Sequence, residues 1–154
     1  MTHKLLLLSV QPRYADKIFE GTKLVELRRT RPQITSGDLA MVYVSTPIRA
    51  IVGLLEIEKM IEAPPGKIWP QICRQAGINK QCFDEYFRGA DTAFALYVRH
   101  ARLLPRPIHL NYLRGLWQNF RPPQSFRYLS RYDFDSIQLV SNQLRKRDLL
   151  SMMP

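Results

Sequence analysis

Cysteine is scarce in this sequence, with Cys73 and Cys82 the two cysteines among 154 residues. Their spacing matches no metal-binding or redox motif, and neither has a nearby histidine, which argues against a site built on thiolates. A chain of this length can bury a core without disulfides. We therefore expect two reduced, mostly buried thiols, as in a cytoplasmic protein, and we predict no metal site and no cofactor.

Long hydrophobic runs are also missing. The leucine run at residues 5–8 is too short for a membrane span or for the apolar part of a signal peptide. Internal repeats and low-complexity linkers are absent as well. With 45% hydrophobic residues, the chain is predicted to form one soluble domain over residues 1–154, without contact with a membrane.

Acidic residues are few, since 13 Asp and Glu stand against 23 Lys and Arg, for a net charge of +10. Such an excess of positive charge favours a polyanionic partner, either nucleic acid or an acidic protein surface. The alternative is a basic protein whose charge serves solubility alone. Nucleic acid or nucleotide is the preferred interpretation.

The shortage of acid is sharpest between residues 92 and 132, where no Asp or Glu occurs. Arginines and aromatic side chains alternate through this span, and such mixtures hold phosphates and stack on the bases of single-stranded or looped RNA. The alternative places most of the aromatic rings in the core and the arginines on a solvated face. The residues of this span predicted to contact nucleic acid are Arg99, Arg121, Arg127 and Tyr128.

The first thirty residues predict a strand, a short helix and a second strand. Residues 4–10 form a nearly continuous apolar run, which is typical of a strand buried on both faces. Pro12 suits the first turn of a helix, and Gly21 suits its C-terminal cap. The second predicted strand covers residues 22–30.

The rest of the chain alternates strands with short helices. Gly53 is a candidate bulge, Pro70 is expected in the first turn of its helix or as a break, and Pro105 with Pro107 is expected to end a strand. Asp133 is the expected N-cap of the last helix, whose inner stripe is Phe134, Ile137, Val140, Ser141 and Leu144. The predicted strands are 39–46, 48–61, 92–104 and 125–129, and the predicted helices are 67–76, 79–88, 109–117 and 133–150. This order predicts an α+β fold built on a small β-barrel or curled mixed sheet, with flanking short helices and a C-terminal helix.

The turn into the second strand carries the pattern G-x-K-x-x-E-x-R at residues 21–28. Strand alternation places Glu26 and Arg28 on one face, about 6–7 Å apart, and Lys23 lies where the turn can direct it to the same pocket. Such a set could recognise an anion and a polar base edge. A lysine desolvated beside Arg28 has a lowered pKa and could act as a base, with Glu26 as its partner. The alternative is a surface salt bridge.

Residues 9–29 resemble the opening of ASCH domains, which belong to the PUA-like superfamily. The matching residues are Ser9, Pro12, Ile18, Gly21, Lys23, Glu26 and Arg28. The resemblance implies a β-barrel with flanking helices and a cleft that faces RNA or a nucleotide, with Ser9, Lys23, Glu26 and Arg28 at that cleft. Residues 83–98 and 121–129 resemble longer PUA-like proteins often called predicted transcriptional regulators, although the sequence shows no helix–turn–helix pattern.

Members of the resembled family differ in activity. They include RNA-binding modules, an RNA-cleaving enzyme and small amidohydrolases that act on 4-acetylcytidine. In those amidohydrolases a lysine in the turn acts with a threonine three residues later and with a distant glutamate. Lys23 matches that lysine, whereas Glu26 stands at the threonine position, so the resemblance carries over the lysine alone.

Three functions therefore remain open at the level of the sequence. The first is an RNA- or nucleotide-binding domain, with a regulatory role in RNA metabolism or transcription. The second is an enzyme of amidohydrolase or ribonuclease type, in which Lys23 and Glu26 are the catalytic residues. The third is a protein-interaction domain whose basic face binds an acidic partner.

Overall fold

The computed structural model describes residues 3–151, with side chains described through residue 142. Within this range the chain folds into six strands and five helices. In chain order they are β1 (Leu5–Val10), α1 (Pro12–Glu20), β2 (Val25–Arg28), β3 (Leu39–Val44), β4 (Ala50–Ala63), α2 (Pro65–Ile72), α3 (Lys80–Tyr86), β5 (Ala93–His109), α4 (Leu110–Leu116), β6 (Phe126–Leu129) and α5 (Arg131–Ser151).

The strands form one sheet in the order β2-β5-β4-β3-β1-β6. Strands β1 and β3 are parallel, and the other neighbouring pairs are antiparallel. The sheet is mixed and curls into half a barrel, with the helices around it, which confirms the predicted α+β class. Strand β1 is the fifth of the six strands, next to the edge strand β6, and both of its faces are covered, as its apolar run predicted.

Alternate residues of the sheet belong to separate hydrophobic clusters. One face of β1 and β3 packs against α4 and α5, around Leu7, Met41 and Trp117. The opposite face packs with α1 around Leu6 and Leu8. A third cluster joins β2 and β5 to α2 and α3. Helices α1 and α3 are thereby held beside β2, which is the arrangement that forms the functional cavity.

The N-terminal unit follows the prediction closely. Pro12 is the first residue of α1, where its missing N–H costs no helical bond. Gly21 caps the helix with φ of 88°, a left-handed conformation that favours glycine, and its N–H bonds to the carbonyl of Ile18. The chain leaves this cap directly into β2, so that Lys23 is placed at the entrance of the strand.

The long strands β4 and β5 change register opposite Gly53, which confirms the predicted bulge. A side chain at Gly53 would collide with the ring of Phe19 from α1 and with the backbone carbonyl of Arg102. The prediction that Pro105 and Pro107 end the strand was wrong. Strand β5 continues to His109, since the register shift removes both prolines from the paired positions, where their missing N–H would cost a ladder bond.

The last helix begins earlier than predicted. Ser130, rather than Asp133, is its N-cap: Ser130 Oγ accepts the N–H of Asp133 at 3.1 Å, and the Asp133 carboxylate accepts the N–H of Ser130 at 3.0 Å. This reciprocal capping box starts α5 at Arg131 instead of residue 133. In the predicted inner stripe Ile137, Val140 and Ser141 are buried, and Phe134 packs against the same core, while Leu144 lies outside the described side chains.

Helix α2 also begins before its predicted start. It starts at Pro65, so Pro70 lies inside the helix rather than in its first turn. The helix thereby loses the bond that residue 70 would donate to the carbonyl of Gly66. None of the helices within residues 3–151 combines the length and the apolar character that a membrane crossing requires.

Candidate functional site

An open cavity of about 680 Å³ lies where β1, α1, β2, β3 and α3 meet the loop at residues 122–125. The predicted residues Ser9, Lys23, Glu26 and Arg28 all line it. The pattern at residues 21–28 therefore points into a hollow and not onto a flat surface.

Glu26 is the centre of a buried charged network at this cavity. Its Oε1 accepts a hydrogen bond from the Arg28 guanidinium at 3.0 Å, and its Oε2 lies 3.8 Å from Lys23 Nζ. The exposed fractions are 3% for Lys23, 7% for Glu26 and 4% for Arg28. Because buried charges are costly unless they are paired, the three side chains depend on one another. The alternative of a surface salt bridge is excluded by this burial.

Arg28 also joins β2 to the far side of the cavity. Its guanidinium donates to the backbone carbonyl of Ser125 at 2.8 Å and to the carbonyl of Ser9 at 2.9 Å. Ser9 Oγ in turn donates to the carbonyl of Pro123 at 2.6 Å. These bonds hold the loop at residues 122–125 against β1, so Arg28 and Ser9 shape the cavity wall as well as line it.

Lys23 is the most desolvated cation of the network. Burial lowers its pKa, the charge of Glu26 opposes that shift, and the charges of Arg28 and Lys17 lower the pKa further. Lys23 Nζ donates a hydrogen bond to the carbonyl of Ala76. An amine in this environment loses its proton more easily than an exposed lysine, as the spacing with Arg28 predicted, and neutral lysine is a competent base.

Three tyrosines surround the charged floor. Tyr14, Tyr43 and Tyr86 line the cavity, and burial raises the pKa of each phenol. The Tyr14 ring faces Lys23 Nζ at 5.1 Å, and the Tyr86 hydroxyl donates to the carbonyl of Leu27 at 3.3 Å. The phenols therefore stay protonated at neutral pH and offer hydrogen-bond donors beside aromatic faces.

Positive charge also surrounds Tyr43. The guanidinium groups of Arg49 and Arg114 act to lower its pKa, against the larger effect of burial. Arg49 itself has φ of 55°, an uncommon conformation for a residue with a side chain. Neither arginine is among the described residues that line the cavity, so their charge acts on Tyr43 and not directly on a ligand.

Two buried atoms of the network, Glu26 Oε2 and Arg28 Nε, have no hydrogen-bond partner among the described residues. Native structures leave few buried polar atoms without a partner, and each such atom calls for an explanation. Both atoms are shielded from solvent, and Glu26 Oε2 faces Lys23 Nζ at 3.8 Å, so the charge of Lys23 partly compensates the buried oxygen.

The other predicted binding residues do not line this cavity. Arg99 pairs with Glu56 on the surface of β5, Arg127 covers the rings of Trp117 and Phe120, and Tyr128 lines a separate hollow. Arg121 is exposed next to the 122–125 loop. A role of these four residues in binding nucleic acid stays a prediction.

Sequence reasoning missed several residues at the cavity. Tyr14, Tyr43 and Ser125 were not predicted as site residues, because the contacts that bring them to the cavity join parts of the chain that are far apart in sequence. Cys82 also lines the cavity, and both cysteines are free thiols of intermediate burial, in line with the expectation of reduced, mostly buried thiols. Cys82 lies in the first turn of α3, which packs only one side against the core.

Metal-ligand side chains do not cluster in the described part of the chain: no group of three or more His, Cys, Asp or Glu residues there could hold an ion. The functional groups that line the cavity are amine, carboxylate, guanidinium, phenol, hydroxyl and thiol groups.

Known proteins share this architecture. The chain is 28% identical over 137 residues to the ASCH domain-containing ribonuclease of Zymomonas mobilis, which covers 89% of this chain and 92% of that protein. The crystal structure of ASCH from Zymomonas mobilis matches with a TM-score of 0.83 at 28% identity, over 88% of this chain and 94% of that one. Large ribosomal subunit protein uL22 of Ureaplasma parvum is 28% identical over 129 residues, which are 83% of this chain but 40% of that protein.

The family model described as the ASCH domain matches residues 8–104. This segment includes the end of β1, the whole pattern at residues 21–28 and most of the cavity wall. Well over half of the chain is thus matched, and the chain belongs to the ASCH domain family.

Proposed function

We propose that this protein binds single-stranded RNA and takes one nucleotide of it into the cavity. The observation that carries the proposal is the Lys23–Glu26–Arg28 network, whose three residues line an open cavity beside tyrosine rings. An amine, a carboxylate and a guanidinium together offer donors and acceptors to the hydrogen-bonding edge of a base.

The size and the walls of the cavity support the same ligand. A volume of about 680 Å³ falls inside the range of about 300–1,000 Å³ that is usual for small-ligand pockets. Tyrosine rings at the wall offer stacking surfaces, and bases of single-stranded RNA are commonly held by aromatic stacking together with edge hydrogen bonds. The net charge of +10 would attract the phosphate backbone.

Two relatives support RNA as the partner. One carries the name ribonuclease and the other is a ribosomal subunit protein. For an acidic protein partner, by contrast, the comparisons supply no supporting observation. A regulatory role in RNA metabolism or transcription would follow from RNA binding and would need its own test.

Fluorescence anisotropy with a labelled twelve-nucleotide RNA tests the proposal, measured at several salt concentrations. Arg13 is exposed at the cavity mouth, so Arg13→Ala leaves the fold intact while it removes a cavity cation. Lys23→Met removes the cation at the floor of the cavity and keeps a side chain of similar volume. We expect each variant to weaken RNA binding by about tenfold, which corresponds to about 1.4 kcal/mol.

Arg74→Ala is the matched control, because Arg74 is exposed and is not among the described residues that line the cavity. It changes the net charge as Arg13→Ala does, so its effect measures non-specific attraction. Equal weakening by Arg13→Ala and Arg74→Ala would show that charge alone binds the RNA. Circular dichroism of each variant verifies the fold.

Cleavage of the bound RNA is the second candidate function, favoured by the lowered pKa of Lys23. Neutral Lys23 would take the proton of a ribose 2′-hydroxyl, whose oxygen then attacks the adjacent phosphorus as the bond to the 5′-oxygen breaks. A protonated phenol, Tyr43 or Tyr86, would give its proton to that leaving oxygen. The products are a 2′,3′-cyclic phosphate and a 5′-hydroxyl, and general acid–base catalysis of this kind contributes about 10²–10⁴-fold.

RNA cleavage is measured on the same oligonucleotide by gel electrophoresis, with mass analysis of the new ends. We expect Lys23→Met to lower the cleavage rate by at least 100-fold, within the range given for a lost general base. A DNA strand of the same sequence should stay intact because it lacks the nucleophile. Cleavage by Lys23→Met at the wild-type rate would remove Lys23 from the mechanism and leave RNA binding as the function.

An amidohydrolase activity on acylated nucleosides, also expected from the family resemblance, has Lys23 in its favour. The carboxylate at position 26 is engaged by Arg28, however, which leaves Glu26 less free to act as the partner of Lys23. We therefore rank this activity below RNA cleavage.

A further inference from the structure

A second hollow, of about 890 Å³, lies at the opposite end of the β1–β6 pair from the cavity. Its floor is apolar and its rim is cationic and aromatic. We call it the Tyr128 groove, and its main lining residues are Lys4, Leu5, Tyr128, Leu129, Arg131 and Phe134.

The charge of the Tyr128 groove has one sign. Among the described residues that line it there is no Asp or Glu, while Lys4 and Arg131 are exposed at its rim. Lys4 Nζ donates to the carbonyl of Gln33 at 3.0 Å, and Arg131 Nε lies 3.4 Å from the Asp135 carboxylate on the same helix. Both cations remain near the surface, where a phosphate could reach them.

Tyr128 presents its ring in a fixed orientation. The side chain is 45% exposed, yet its hydroxyl accepts the N–H of Gln33 at 2.6 Å. Lys4 Nζ lies 5.8 Å from the centre of the ring. An anchored, exposed ring beside a cation is the arrangement that holds a base by stacking and its phosphate by charge.

Strand β6 connects the Tyr128 groove to the cavity. Ser125, at its start, lines the cavity, and Tyr128 and Leu129, at its end, line the groove. Three residues of strand cover about 10 Å at about 3.3 Å per residue. Since a stacked strand rises about 3.4 Å per nucleotide along its axis, about three stacked nucleotides, or fewer extended ones, cover this distance.

The edge between the two hollows is also free of acid. Strand β6 is the edge of the sheet, and Arg127 lies between Ser125 and Tyr128. Its half-buried guanidinium is held over the rings of Phe120 and Trp117. A strand of RNA leaving the cavity along this edge would pass Phe126, Arg127 and Tyr128, none of which is acidic.

We propose that the Tyr128 groove is a second subsite for single-stranded RNA, so that an RNA strand runs along β6 from the cavity and stacks a further base on Tyr128. This inference rests on the proposed function of the cavity. It adds a length requirement: a dinucleotide occupies the cavity alone, whereas a longer strand gains the contacts of Tyr128 and Lys4.

The test compares a dinucleotide with a twelve-nucleotide RNA by isothermal titration calorimetry. Tyr128→Ala and Lys4→Gln should each weaken binding of the longer RNA by about tenfold, because base–aromatic stacking commonly contributes an effect of this size. Both variants should leave dinucleotide binding within twofold. Tyr128→Phe keeps the stacking surface but loses the hydroxyl that accepts from Gln33, so it should bind the longer RNA more tightly than Tyr128→Ala does.

Matched controls exist on other parts of the surface. Tyr112 is 49% exposed, and Lys59 lies 4.5 Å from the ring of Tyr97, yet neither residue is among the described lining of either hollow. Tyr112→Ala and Lys59→Gln therefore report the loss of an exposed ring and of a charge at unrelated places. Both variants should bind the longer RNA with an affinity within twofold of that of the wild type.

The outcomes separate this inference from the proposed function. If Tyr128→Ala leaves the longer RNA unaffected while Lys23→Met weakens both ligands, the groove is not an RNA subsite and serves another occupant, such as a protein. If Tyr128→Ala weakens both ligands equally, the length requirement is wrong. If wild-type protein binds neither ligand, the proposed function fails and the groove loses its role with it.

Discussion

Two arginine–glutamate pairs in this protein have nearly the same geometry and opposite surroundings. The Arg28–Glu26 pair has an N–O distance of 3.0 Å at the cavity floor, and the Arg99–Glu56 pair has one of 2.9 Å on the outside of the sheet. In the first pair both side chains are almost fully buried, whereas both residues of the second lie near the surface. Only the surroundings distinguish the two.

The comparison teaches that distance does not decide what an ion pair does. On the surface, the hydrogen bond from Arg99 lowers the pKa of Glu56, but water and salt screen the pair. At the cavity floor the same contact supports a third charge, Lys23, and two buried polar atoms have no hydrogen-bond partner within the described part of the chain. Buried charge of this kind is typical of functional sites, because burial makes electrostatic interactions stronger and their loss more costly.

The largest expected effect comes from removing Glu26. Glu26→Ala leaves Lys23 and Arg28 buried without a counter-charge, and breaking such a group costs about 3–5 kcal/mol of unfolding free energy. Urea denaturation followed by circular dichroism measures this cost. Glu56→Ala is the surface counterpart and should shift the midpoint far less.

Glu26→Gln sharpens the same comparison, since it keeps the shape and the oxygen that accepts from Arg28. We expect its loss of stability to lie between those of Glu26→Ala and Glu56→Ala. If Glu26→Ala and Glu56→Ala destabilise the protein equally, the cavity floor is solvated in solution, and burial does not distinguish the Arg28–Glu26 pair from the Arg99–Glu56 pair.

A smaller effect is expected on the pH dependence of stability. Folding lowers the pKa of Lys23 below its ordinary value of 10.5, so between the two values the unfolded chain binds more protons than the folded one. The free-energy cost of burying the Lys23 charge is largest below the pKa that Lys23 has in the folded protein, and it decreases as the pH rises towards 10.5. Wild-type stability should therefore rise with pH in this window relative to that of Lys23→Met.

Denaturation curves at several pH values, from neutral to alkaline, give the wild-type and Lys23→Met stabilities side by side. The difference between them isolates Lys23, because the other titrating groups are common to both. A difference that stays constant over this range would mean that folding does not perturb the pKa of Lys23.

The smallest effect is expected at Arg99. Arg99→Ala removes a screened surface cation, so the unfolding midpoint should not change measurably. If Arg99 contacts RNA, as the acid-free span predicted, the salt dependence of binding should lose about one phosphate contact, a slope change of about 0.7. An unchanged slope would show that Arg99 does not contact RNA. The RNA-binding surface would then consist of the cavity and the β6 edge beside it.

Much of the fold could be predicted because its signals are local. The apolar run of β1, Pro12 at the start of α1 and Gly21 at its end each act through their own backbone, and the structure has them where they were expected. The errors share one cause. Pro105, Pro70 and Asp133 were interpreted with rules for isolated helices and strands. In the structure, a register shift leaves Pro105 unpaired within β5, and an earlier helix start places Pro70 inside α2. Asp133 takes part in a reciprocal cap with Ser130 instead of being the N-cap itself.

By itself the sequence determined that Lys23, Glu26 and Arg28 would lie close together. Spacing along a strand and after a glycine cap dictates which side chains share a face. Only the tertiary structure decided that these charges would be buried and that Tyr43 and Ser125 would join them. Those contacts join residues far apart in the chain, and the packing of the sheet against its helices brings them to one cavity. Burial, and with it the pKa of Lys23, is a property of that packing and cannot be read from neighbouring residues.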